Sequence, residues 1–191
     1  MEQRWEWVDY AKAIGIILVV YGHVARGLYV AGIDIPIEIY TFSNSIIYSF
    51  HMPLFFFLSG LFFYKSFNKH GKVRFIGTKI DTIVYPYIIW SIFQGCIEVQ
   101  LSDYTNGSVC YAEVFSFLWS TRAQFWYLYA LFVAFICSFA IFSVFSKRCA
   151  TSIFFLAAIL YVYQASLPDQ FVVTLIAKHF VFFMFGVVVS L

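Results

Sequence analysis

Near the start of the chain, Asp9, Lys12, His23 and Arg26 stand at spacings that could do chemistry. At roughly 100° per residue on an α-helix, all four fall within an arc of about 100° on one face. Lys12 and His23 are about three turns apart, so they stand nearly in line, about 16 Å from each other along the axis. A neutral imidazole takes up a proton near pH 7, which suits a general base. Asp9 and Arg26 lie closer to the ends of the same apolar stretch, where such side chains also reach the interface or pair with headgroups. Gly15 and Gly22 border the polar face, and a missing side chain lets a backbone or a ligand approach closely.

The element that carries this face is a membrane helix. Of 191 residues, 62% are hydrophobic and only 12% are charged, with 25 Phe and 14 Tyr. Soluble domains sit near half apolar and a quarter charged, so the bilayer must act as solvent for this chain. The net charge of +2 gives no reason to expect a nucleic-acid partner. About six apolar segments are long enough to consider as spans. They run from about Tyr10 to Val30, Phe42 to Tyr64, Ile80 to Leu101, Phe125 to Phe145, Ile153 to Leu167 (a short one) and Phe171 to Leu191. With no alternating strand pattern, and no unpaired backbone tolerated in lipid, these segments are expected to be helices. An ionisable group near the bilayer centre costs at least ~2.5–3.5 kcal/mol. The stripe on the first helix is therefore expected to face the bundle interior, a cavity or a ligand.

The stretch after the second span carries Lys65, Lys69, Lys72, Arg74 and Lys79, and Lys147 and Arg148 follow the fourth. The opposite loops set Arg26 and Arg122 against Asp34, Glu38, Asp103 and Glu113. The positive-inside rule places the N-terminus, a long basic loop over 65–79 and Lys147-Arg148 in the cytoplasm, and 102–124 outside. Trp5, Trp7, Trp90, Trp119 and Trp126 fall at or near span ends, as an interfacial belt requires.

Other candidates carry weaker signals. His51 precedes Pro53 by two positions and either touches a substrate or shapes the helix there. Ser59-Gly60 has no nucleophile elbow around it and reads as close packing. His70 is expected to be solvated, and the sequence gives no direction for His179, next to Lys178. No histidine–cysteine spacing resembles a metal site. Cys96 and Cys110 map to one side, where they either pair or stay free, and Asn106-Gly-Ser108 reads as a turn.

The stretch from Asp9 through Lys12 to Gly22-His23 resembles the opening helix of the acyltransferase family 3 membrane O-acyltransferases, in the branch described as fucose O-acetylase-like. Ser49-Phe-His51-Met-Pro53 with Ser59-Gly60 is similar to the family's second signature. Tyr85-Pro86-Tyr87, Phe125-Trp126-Tyr127-Leu128 and Phe182-Phe-Met-Phe-Gly186 look like its later landmarks, so the likeness covers essentially the whole chain in order. It implies an enzyme that takes an acyl group, usually acetyl, from cytoplasmic acyl-CoA and places it on a sugar hydroxyl, commonly across the membrane. The family's basic residue and histidine on the first helix map onto Lys12 and His23. Members have about ten spans, so the resemblance implies a single transmembrane domain over 1–191 that is incomplete at the C-terminus, where the chain stops inside an apolar run. The family's two closely spaced basic residues before Tyr-Pro are not both present, since Lys79 is followed by Asp81 and Thr82.

In this reading acetyl-CoA is the donor, with no metal. Its phosphates rest on Lys12, Arg74 and Lys79, its pantetheine arm follows the glycine-bordered side of the first helix, and His23 is the base, with a covalent acyl-histidine left open as the alternative. Arg26, His51 and Asp34 are the candidates for contact with the carbohydrate acceptor. The protein is expected in a bacterial inner membrane. The rival readings are a multi-span transporter or channel whose polar stripe is a pathway, and an inactive partner subunit.

Overall fold

The computed structural model describes residues 5–104, 110–118, 121, 125–168 and 170–191. Trp119, Arg122, Asn106 and Ser108 lie outside the described residues. The described chain is helical: α1 Glu6–Val30, α2 Ile37–Leu61, α3 Phe63–Lys79, α4 Tyr85–Gln100, the single turn α5 Tyr111–Val114, α6 Trp126–Val144, α7 Ala150–Val162 and α8 Phe171–Val189. Five continuous helical stretches are long and apolar enough to cross a membrane: Glu6–Val30, Ile37–Lys69, Gly71–Gln100, Trp126–Val144 and Phe171–Val189. This is an all-α membrane protein. The fifth expected span becomes α7, which has 13 residues and is extended at its two ends by 3₁₀ turns at Lys147–Cys149 and Gln164–Ser166. Alone it measures about 20 Å, short of the ~30 Å hydrocarbon core.

The basic loop expected over 65–79 is instead helical. α2 continues past Phe62 into the first half of α3, and the second half of α3 leads on into α4. Between the halves, Gly71 has φ 69°, a left-handed conformation that breaks the helix and that a side chain would resist. Helices of 33 and 30 residues are about 50 and 45 Å long, more than the hydrocarbon thickness. Lys65, Lys69, Lys72 and Arg74 thus sit on helix that outruns the apolar core. A π-helical turn, Ile80–Val84, joins α3 to α4 immediately before Pro86. Proline has no N–H for the carbonyl four residues back. Thr78 and Thr82 add to the disturbance, because their hydroxyls donate to the Arg74 and Thr78 carbonyls at 2.8 and 2.7 Å.

α1 and α2 form an antiparallel hairpin whose register can be read from its contacts. Lys12 meets Phe62, Gly15 meets Phe55, Gly22 meets Tyr48, Arg26 meets Asn44 and Tyr29 stacks on Tyr40. Packing elsewhere centres on phenylalanine. Phe63 is fully buried, with Phe75, Phe135, Phe142 and Phe183 at 5.7–6.4 Å between ring centroids. Lipid offers no hydrophobic gain over a neighbouring helix, so shape and such ring contacts hold the bundle together. α2 and α8 approach most closely of all. A Cβ on Gly60 would strike the Phe183 carbonyl oxygen, and one on Gly186 would strike the Phe57 carbonyl oxygen. The close packing expected at Ser59-Gly60 is therefore a backbone-to-backbone crossing. The described cysteines, Cys96, Cys110, Cys137 and Cys149, are all free.

The orientation expected from the basic residues has a direct test. With the other cysteines replaced by Ser, exposed Cys110 should react with a membrane-impermeant maleimide in intact cells. A cysteine at Lys69 should react only after permeabilisation. The opposite labelling pattern reverses the orientation.

Candidate functional site

α1 presents Val8, Gly15 and Gly22 as its buried face. These residues recur every seven positions, the period of a helix–helix seam. α2 fills the two glycine gaps itself, Phe55 lying against Gly15 and Tyr48 against Gly22. The expected route for a pantetheine arm along that side is thus occupied by aromatic rings. The polar stripe borders the seam rather than facing an enclosed interior. Lys12 and Arg26 are exposed, while Asp9 and His23 are half-buried.

Around His23 the structure gathers a compact polar group. His23 lies within electrostatic reach of Arg26 and His51. The Arg26 guanidinium sits over the Tyr48 ring, 4.4 Å from its centroid, and donates to Asn44 Oδ1 at 3.4 Å. Tyr48 in turn meets the His51 ring edge-on at 4.9 Å. His51 is 1% exposed, and its Nδ1 is bonded to the Ile47 carbonyl. A carbonyl only accepts, so the His51 proton is on Nδ1. This bond lies one turn before Pro53, which breaks the α2 backbone ladder.

The donor candidates stand at the other end of α1. Lys12 Nζ is 5.7 Å from the Phe62 ring, beside the start of α3. Arg74 is exposed on the second half of α3. Lys79 is half-buried, its ammonium over the rings of Phe135 at 4.0 Å and Phe75 at 5.3 Å. Cation–π contacts hold it there. Asp34 is exposed in the α1–α2 connection, at the opposite end from Lys12. The structure thus brings together His23, Arg26 and His51. Lys12 and Arg74 share the basic end, and Asp34 stands apart.

Sequence reasoning missed Tyr48, which links Arg26, His51 and Gly22. It gave His179 no direction. That ring stacks on Phe56 at 5.0 Å and lies 5.0 Å from Trp126, beside a cleft of about 620 Å³. Among the described residues, no group of His, Cys, Asp and Glu could hold a metal ion.

The acyltransferase-domain family matches residues 5–191. The chain belongs to that family. It is also 29% identical over 150 residues to nodulation protein NolL of Sinorhizobium fredii, a match that covers 76% of this chain and 40% of NolL. The chain therefore spans about two-fifths of the length of that relative. No solved structure shows a significant match.

Proposed function

We propose that this protein is a membrane O-acyltransferase that moves an acyl group, acetyl in the simplest case, from acyl-CoA to a hydroxyl of a sugar. The observation that carries the reading is the placement of Lys12 and His23 on one unbroken helix, α1. One stands at the basic end and the other in the Arg26–Tyr48–His51 group. Acyl-CoA approaches from the basic side, which the positive-inside rule puts in the cytoplasm, and Lys12 and Arg74 hold its phosphates. Lys79, pinned against two aromatic rings, is the weaker phosphate ligand. His23 takes the proton from the acceptor hydroxyl as its oxygen attacks the thioester carbonyl. The tetrahedral intermediate collapses, the carbon–sulfur bond breaks, and the proton passes from His23 to the departing CoA sulfur. Arg26 keeps its place by the Tyr48 ring and faces the acceptor side.

Binding tests the reading. Acetyl-CoA at a hundred times its Kd should stabilise the protein in lipid nanodiscs by about 2.7 kcal/mol, read as a raised unfolding midpoint. A transporter or an inactive partner subunit shows no such shift. Lys12 is tested separately. Lys12→Ala should raise the acyl-CoA KM about tenfold or more, the worth of a charge-assisted hydrogen bond, while keeping part of kcat. Lys12→Arg should restore most of the affinity. Unchanged KM in Lys12→Ala removes Lys12 from the donor site.

A further inference from the structure

We propose that the cleft between α2, α6, α7 and α8 is the acceptor subsite and that it takes a pyranose ring; the proposal rests on the acyl-transfer reading above. At about 620 Å³ the cleft is of a size that takes a small-molecule ligand. Its walls combine two kinds of chemistry. Tyr48, Trp126 and Tyr161 supply aromatic faces, and Gln164, Lys178 and His179 supply hydrogen-bonding groups. A pyranose carries both complements, with apolar C–H faces and a rim of hydroxyls. A lipid tail would meet Gln164, Lys178 and His179 with nothing to offer them, and a polar group left unpaired against hydrocarbon is costly.

His179 supplies the second argument. Its Nδ1 is buried without a hydrogen-bond partner among the described residues. His179 also lines the cleft, so its imidazole offers a hydrogen-bonding partner to a hydroxyl of a sugar seated there. Position supplies the third. Tyr48 is shared between this cleft and the catalytic group: it lines the cleft, carries Arg26 on its face at 4.4 Å and lies against Gly22, the residue before His23. The cleft and the helix turn that bears the base thus share Tyr48 as a common wall.

The experiment measures two bindings on one nanodisc preparation. Saturation-transfer NMR with methyl glycosides of hexoses and 6-deoxyhexoses reports on the cleft, and thermal stabilisation by acetyl-CoA reports on the donor site. Wild type should bind at least one glycoside saturably. Trp126→Leu and Gln164→Ala should each bind it about tenfold more weakly, with the acetyl-CoA shift unchanged. Gln164 sits in a 3₁₀ turn outside the phenylalanine core, so its variant keeps the test independent of folding. The subsite is overturned if no glycoside binds, or if both variants bind it as tightly as wild type. It is also overturned if a photoreactive fatty acid labels the cleft and no glycoside displaces it. Failure of the acetyl-CoA shift strikes the donor chemistry instead, and leaves the glycoside result to judge the cleft.

Discussion

His23→Gln should lower acyl transfer by about 10²–10⁴-fold, the usual worth of a positioned proton acceptor, while acyl-CoA binds as tightly as before. Glutamine nearly matches the imidazole in size and keeps a hydrogen-bonding side chain, yet cannot take the hydroxyl proton. His23 is half-buried at the edge of the α1–α2 seam, and its side chain is not among those that close the Gly15 and Gly22 gaps. The substitution therefore leaves the packing in place, and the loss falls on kcat rather than on donor KM. His23→Ala should fail equally. Wild-type turnover by His23→Gln would make the histidine structural and remove the base from the mechanism.

Gly60→Ala should open the tightest helix crossing described, that of α2 on α8. Its Cβ meets the Phe183 carbonyl oxygen and, at 3.1 Å, the Val187 backbone nitrogen. Neither can swing aside as a side chain could, so α2 and α8 must separate along their whole contact. Overpacking of this kind costs about 1–3 kcal/mol, and Gly186→Ala repeats the insult from the other helix at the Phe57 carbonyl. The unfolding midpoint of either variant should fall by roughly 2–12 °C. The two together should be less than additive, because one separation relieves both clashes. Gly27→Ala is the control: a Cβ there meets nothing within 4 Å, and alanine is the better helix former by about 1 kcal/mol. Equal midpoints for Gly60→Ala and Gly27→Ala would show that the crossing is looser than described.

The hairpin of α1 and α2 was legible in the sequence because its signals are local. Length and apolarity set the spans, and the 3.6-residue period lined up Lys12 with His23. The shortness of α7 was also visible, in the apolar run from Ile153 to Leu167. Helix over 65–79 was not. Its lysines depress the hydropathy and imitate a loop, whereas a helix that outruns the bilayer carries charge freely. The neighbours of the polar stripe were not legible either: α2 closes the glycine gaps with Phe55 and Tyr48, and Lys12 and Arg26 are exposed in the described chain. The cleft around His179 was beyond sequence reasoning for a simple reason. Its walls come from four helices, and no spacing within one of them marks Tyr48, Trp126 and His179 as neighbours.

The wide turn at Ile80–Val84 makes chain length an adjustable quantity at one place in the molecule. A π-turn accommodates one residue more than an α-helix does, so losing a residue between Ile80 and Val84 lets the turn tighten while the helices on either side keep their facing. The same loss after Tyr87 has no such slack to draw on. It swings Ser91 and Gly95, buried on the face they share with Tyr87, away from their neighbours by about 100°. Length variation in this stretch of the chain is therefore confined by geometry to the five residues of that turn.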